Sequence, residues 1–225
     1  MTFVKAMNWI LLSHILKPGI PSYGNRDKLI IEHPSSLAYG NTANSSSWNF
    51  TSNHLGTHID VPNHFFDEGM TISDYPASFW FSEKILLIDI PLEKSELITP
   101  YHLNDKVKSN IEVLLVRTGF EKYRHQEKYW NDNPGVAAET GFWLRKNFPE
   151  IKIFGFDFIS LTSWKFRDEG KKAHKAFLDP IATGKPVCLI EDMSLKSVQN
   201  TVKQIIVAPL LVEKGNGSPV TVLCN

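Results

Sequence analysis

The chain has 225 residues, with 24 Lys plus Arg balancing 24 Asp plus Glu and a hydrophobic fraction of 42%. This is the composition of a globular protein long enough for a substantial core. The balanced charge supplies no basic field for nucleic acid or for an anionic membrane. Two cysteines, Cys188 and Cys224, offer no disulfide framework and fit a reducing compartment.

An apolar run over residues 6–16 follows Lys5. It is interrupted by Ser13-His14, it leads into Pro18-Gly19-Ile20-Pro21 in place of a small-x-small cleavage site, and it is too short to span a bilayer. It is therefore expected to be a buried strand, over residues 9–16, in a cytoplasmic protein. Residues 29–32 are a second candidate strand. Residues 40–47 are small and polar and read as a loop, and residues 48–52 alternate as a strand. Residues 70–76 are turn-like and begin a short helix. Residues 84–90 and 111–117 have the unbroken apolar character of buried strands. A helix is expected over 137–147, with Val136, Thr140, Trp143 and Leu144 on its apolar side. A strand over 152–157, a charged amphipathic helix over 168–177 and strands over 186–191, 202–211 and 220–224 complete the set. The strand-rich first half and the alternating second half predict one α/β or α+β domain over residues 1–225, built on a mixed sheet.

The chemistry concentrates in Asn53-His54-Leu55-Gly56-Thr57-His58-Ile59-Asp60-Val61-Pro62-Asn63-His64-Phe65. Three of the eight histidines and an Asp fall within eleven residues, and imidazole and carboxylate are the usual ligands of Zn²⁺ and related ions. As a helix the stretch would put His54 and His58 on one face and send Asp60 and His64 elsewhere. As a straight strand it would spread all four along one face over ~30 Å, at ~3.3 Å per residue. A bend at Gly56 and Pro62 that gathers His54, His58 and Asp60 around one point uses every residue. A carboxylate-containing His site without a Cys cluster suits a catalytic ion better than a structural one.

Other residues could reach such a site. His174 lies on the 168–177 helix, near the margin of its apolar side; on helix position alone, a surface histidine is the simpler reading. Glu191 ends an apolar strand, where a carboxylate either projects into a site or is merely solvated. Asp192 points the opposite way by strand alternation. Arg117 at a strand end could clasp a substrate carboxylate or form a structural ion pair. His14, His33, His102 and His125 have no partner spacing, and His14 is the one placed nearest a pocket. No Gly-x-Ser-x-Gly elbow or nucleophilic Cys motif is present, and Gly215-Asn216-Gly217-Ser218-Pro219 lacks the Lys and the helix of a phosphate loop.

The stretch from His54 to Phe65 resembles the His-x-Gly-Thr-His-x-Asp-x-Pro-x-His signature of the cyclase family, which contains bacterial kynurenine formamidases, isatin hydrolases and polyketide cyclases. Leu12-Ser13-His14, Leu115-Val116-Arg117-Thr118-Gly119, Gly155-Phe156-Asp157 with Ser160, Ala173-His174 and Leu189-Ile190-Glu191-Asp192 are similar to its other conserved segments. The resemblance implies a swivelling β/β/α-type fold, one or two Zn²⁺ or Mn²⁺ ions per subunit, a small-molecule substrate, and a homodimer or homotetramer. It makes His54, His58 and Asp60 metal ligands, with Asp60 able to bridge two ions. His174 and Glu191 become ligands of a second position, and His64 the general acid/base. Tyr23 and Arg117 are the candidate substrate contacts. In the N-terminal substrate loop, Tyr23-Gly24-Asn25-Arg26 stands where the kynurenine formamidases carry an aromatic followed by Pro-Gly-Asp. Residues 179–185 lengthen the spacing between His174 and Glu191. The implied reaction is metal-assisted hydrolysis of an amide, formamide or lactam C–N bond. Lactone hydrolysis, cyclisation at the same ion, or metal binding without catalysis are the alternatives.

Overall fold

The computed structural model describes residues 9–199 and 201–225; residues 6–8 of the apolar run lie outside the described residues. Its strands are β1 (Ile10–Leu11), β2 (Leu29–Ser35), β3 (Ser45–Phe50), β4 (His58–Asp60), β5 (Phe81–Ser82), β6 (Ile85–Asp89), β7 (Leu97–Ile98), β8 (Val113–Arg117), β9 (Gly135–Val136), β10 (Ile153–Phe156), β11 (Cys188–Glu191), β12 (Ile205–Pro209) and β13 (Gly217–Cys224). Single helical turns α1 (Pro100–Leu103) and α2 (Lys128–Asn131) precede two longer helices, α3 (Ala138–Asn147) and α4 (Arg167–Leu178). No helix among the described residues is long and apolar enough to cross a membrane.

One mixed α/β sheet organises the molecule, in the order β5-β12-β13-β4-β11-β10-β8-β6, with β1 also on β13. Strands β6, β8, β10 and β11 run parallel, whereas β4, β13, β12 and β5 add antiparallel pairs. The apolar runs of the parallel half are unbroken because both faces are covered. Leu114, Val116, Phe154, Phe156 and Leu189 pack in the core that includes Leu144, Ala173 and Phe177 of α3 and α4. Their strand neighbours Val113, Leu115, Ile153, Cys188 and Ile190 join Leu12, Ile59, Ile205 and Val222 on the other side.

The long elements fall close to their expected places, and the differences are local. The strand expected over 9–16 contracts to Ile10–Leu11. Ser13 then makes only an isolated bridge to Met193, and the chain turns at Gly19, whose φ is +76°. The loop expected over 40–47 ends at Ser45, where β3 begins and pairs with β2 as a two-stranded ribbon. The 70–76 segment forms the 3₁₀ turn Ile72–Asp74, closed by Thr71 and Asp74 side chains, and a second 3₁₀ turn follows at Ala77–Trp80.

Two buried arginines hold the loops around the sheet ends. Arg145, 2% exposed, donates to the carbonyls of Ala176, Asp179, Ala182 and Gly184. The extra residues 179–185 thus wrap this guanidinium, and the longer spacing does not separate His174 from Glu191. Arg124 donates through Nε and a terminal nitrogen to both oxygens of buried Asp192, at 3.0 and 2.6 Å, and Tyr129 donates to the same carboxylate. Asp192 adopts φ +54° immediately after Glu191, so this clasp fixes the kink that sends the two acids to opposite sides. Arg124→Ala strands a buried carboxylate, and a loss of about 3–5 kcal/mol in urea unfolding is expected. A loss below ~1 kcal/mol would show that Asp192 is relieved by solvent.

Candidate metal centre

Strand register explains how distant residues meet. β4 lies between β11 and β13, with His58 directly opposite Glu191 and Asp60 opposite Leu189 on β11. Cross-strand partners share a face, and so do His58 and Asp60, two residues apart. The chain enters β4 through Gly56, at φ +68°, where a side chain would also meet Leu16 at 2.6 Å. It leaves through the 3₁₀ turn Pro62–His64, which folds His64 back toward the strand. The bend at Gly56 and Pro62 is therefore real. Helix α4 brings His174 over the same point.

The centre is a ring of two imidazoles and two carboxylates. His58 Nε2 lies 3.3 Å from Glu191 Oε2 and 3.5 Å from Asp60 Oδ1. His174 Nε2 lies 3.5 Å from Glu191 Oε1 and 3.6 Å from Asp60 Oδ2. All four residues are at most 5% exposed. Each histidine is aimed by its other nitrogen: His58 Nδ1 donates to the Gly56 carbonyl at 2.8 Å and His174 Nδ1 to Gly170 at 2.9 Å. This is the orienting hydrogen bond that ligating histidines ordinarily make. Glu191 is held by the Leu161 amide at 2.7 Å, and Phe65 stacks on the His174 ring with centroids 4.8 Å apart.

His54 and His64 stand on the far side of Asp60. His54 Nδ1 is 2.7 Å from Asp60 Oδ1, and its Nε2 faces Asn216 Oδ1 at 3.3 Å. The His64 ring lies against His54, with centroids 4.1 Å apart. Among the described residues two sets of donors have ligand atoms mutually within 4.8 Å, His54/Asp60/His64 and His58/Asp60/Glu191, and both contain Asp60.

The donor set fits a divalent ion on its own evidence. Among the described residues, no Lys or Arg pairs with Asp60 or Glu191, and two buried carboxylates require cationic compensation. One ligand atom each from His58, Asp60 and Glu191 lies within 4.8 Å of the others, and imidazole with carboxylate is the donor chemistry such an ion takes.

In the metal-free protein, imidazolium supplies that compensation. Burial alone would lower the pKa of His58, but the Glu191 and Asp60 carboxylates raise it to about 9. His174 follows the same balance to about 10. Burial opposes ionisation of Asp60 as well, yet the surrounding imidazoles hold it well below the carboxylate range. The two raised histidines add stability that is complete below pH ~6.5 and is lost as pH rises through about 9 and 10. Ligation must displace their Nε2 protons, so metal affinity is expected to climb from pH 7 to 9, ~10-fold per pH unit for each proton released. Calorimetry in buffers of different ionisation enthalpy measures the release, and pH-independent affinity would contradict it.

Arg117 does not reach this centre. It sits opposite Asp89 in the parallel register of β6 and β8 and pairs with it at 2.6 Å, while its terminal nitrogen donates to the Val198 carbonyl. The strand-end arginine is a structural ion pair, and the substrate contact expected of it is corrected. Tyr23 does line the cavity with His54, His58, Asp60, His64, His174 and Glu191. His14 is half-buried behind the centre, 3.9 Å from Asp192. His33 and His125 are exposed, and His102 caps α1 through Thr99. Asn216 and Gly217 carried no signal in the sequence beyond a failed phosphate loop. Asn216 faces His54, and a Cβ on Gly217 would lie 2.5 Å from the His54 ring.

The family model for Cyclase matches residues 10–163. Cyclase-like protein 1 of Arabidopsis thaliana is 25% identical over 224 residues, covering 92% of this chain and 81% of its own. A kynurenine formamidase of Bacillus cytotoxicus is 24% identical over 223 residues, covering 96% and 97%. Among solved structures, isatin hydrolase A of Labrenzia aggregata, bound to benzyl benzoate, superposes with a TM-score of 0.78 at 20% identity, over 96% of this chain and 93% of its own. The matched span holds the whole stretch from His54 to Phe65 and reaches past Asp157, and on it the chain belongs to the Cyclase family.

Proposed function

We propose that the protein is a metal-dependent hydrolase that cleaves an amide, formamide or lactam C–N bond of a small molecule. The observation that carries this reading is the position of His64, whose ring has no hydrogen-bond partner among the described residues, beside the buried imidazole and carboxylate donors. Asp60, Glu191, His58 and His174, joined by His54, would hold one or two ions of Zn²⁺ or Mn²⁺. Such an ion polarises a carbonyl and lowers the pKa of water toward ~7.

His64 does the proton work. Burial drops its pKa to about 4, against the pull of Asp60, so the ring is a neutral acceptor at pH 7. Among the described residues no other side chain hydrogen-bonds it, whereas both nitrogens of His54 are engaged. From the rim of the centre it would take the proton of the attacking water and return it to the leaving nitrogen. The cavity above is about 300 Å³, the size of a small-molecule site. The names of the Bacillus and Labrenzia relatives, a formamidase and an isatin hydrolase, support C–N cleavage. Product analysis across N-formylkynurenine, isatin and simple lactones tests it: water uptake with C–N cleavage is expected, and turnover confined to lactones, or net water loss, would overturn it.

A homodimer or homotetramer belongs to the same proposal. The β2–β3 ribbon leaves Trp48 at 68% and Tyr39 at 89% exposure, and a two-stranded ribbon is marginal unless something covers it. Light scattering that gave a monomeric mass at micromolar concentration would refute this.

A further inference from the structure

We propose that the substrate carries a carboxylate, held at the mouth of the metal cavity by the guanidinium groups of Arg26 and Arg167 together with the Tyr23 hydroxyl. The proposal rests on reading this cavity as the hydrolase active site.

The chain has five arginines, and three are consumed by the fold. Arg117 is paired with Asp89, Arg124 with Asp192, and Arg145 with backbone carbonyls. The remaining two, Arg26 and Arg167, are exposed and form no ion pair among the described residues. Both lie at one place. Arg26 lines the cavity with Tyr23 and the metal-centre residues. Arg167, the first residue of α4, lies over the Trp164 ring at 4.8 Å, and Trp164 packs edge-on against Tyr23 with centroids 5.1 Å apart.

Between them is a hydroxyl with nothing to bond. Among the described residues the buried Tyr23 oxygen has no hydrogen-bond partner, and the Arg167 guanidinium is the cation that acts on it most strongly. An unpaired buried hydroxyl is costly, and this one belongs to a residue that lines the cavity. Burial raises its pKa, which Arg167 and Arg26 oppose and Glu191 supports, so it stays protonated as a donor. Two forked cations and a donor around one cavity mouth match a planar carboxylate. Asp27 also lines the cavity, half-buried. Its carboxylate takes a long hydrogen bond from Thr51 at 3.4 Å, and it opposes the anchor by charge.

The test uses the metal-loaded full-length protein and formanilides bearing a ring carboxylate at the 2, 3 or 4 position, each against its neutral carboxamide. Wild type is expected to prefer at least one carboxylate by kcat/KM. Arg26→Gln and Arg167→Gln should each cut that preference ~10-fold, through KM, and Asp27→Asn should shift it the other way. No preference, or one that the arginine variants leave untouched, overturns the proposal. If neither member of any pair is hydrolysed and N-formylkynurenine and isatin are inert as well, the hydrolase reading fails instead, and calorimetric binding of aminobenzoates against aminobenzamides decides the anchor. Preferential aminobenzoate binding that weakens ~10-fold in both variants sustains it, and indifferent or absent binding ends it.

Discussion

His64→Ala is expected to lower turnover by ~10²-fold or more while the protein retains its metal. The two halves of this result separate two roles that the geometry permits. His64 lies close enough to Asp60 and His54 to complete a ligand triad, and a histidine in that role would take the ion with it when removed. As the proton carrier it would not, because His58, Asp60 and Glu191 converge as a donor triad without it. The preference for the second role comes from engagement: His58 and His174 are each locked by a backbone carbonyl, and no such bond orients His64. Metal analysis beside single-turnover kinetics reads both halves. Loss of metal in parallel with loss of activity would reassign His64 to the ligand set.

Asp60→Asn should have the opposite signature, with activity and metal lost together. Asp60 is 1% exposed and touches three imidazoles, His54 at 2.7 Å, His58 at 3.5 Å and His174 at 3.6 Å. It is also the residue common to both possible donor triads. Asparagine keeps the shape and removes the charge, so the effect is electrostatic rather than a cavity. Disturbing residues that merely orient ligands costs ~10–100-fold in metal affinity, and loss of the shared carboxylate should exceed the upper end. In metal-free protein the same change removes one of the two carboxylates that raise His58 and His174, and both should titrate at lower pH by NMR. Full metal occupancy in the asparagine variant would mean that Glu191 and the histidines suffice.

Much of this centre was legible because its densest part is local. His54, His58, Asp60 and His64 sit in one stretch whose Gly and Pro demand a bend, and no long-range information was needed to see them as a group. His174 was not legible from its helix alone. Its position at the edge of the apolar face says nothing of the strand ends over which α4 packs, and only the family resemblance placed it. Arg117 shows the converse. Its ion pair depends on the β6–β8 register that sets Asp89 opposite it, a parallel pairing invisible in either strand by itself. Asn216 and Gly217 reach His54 from some 160 residues away because β13 pairs with β4. The major strands and helices were readable from apolar periodicity, since the parallel strands are buried on both faces. The β2–β3 ribbon was partly missed, since its small, polar, exposed residues carry no burial pattern.

The central claim is that this centre performs hydrolysis through a bound divalent ion. Its most direct test is hydrolysis of N-formylkynurenine by chelator-stripped protein, before and after addition of Zn²⁺ or Mn²⁺, with isatin and a lactone run beside it. The structure predicts no turnover in the stripped protein and recovery with one of the two ions on at least one C–N substrate. Equal turnover with and without metal, or metal-replete protein inert toward every substrate, would contradict it.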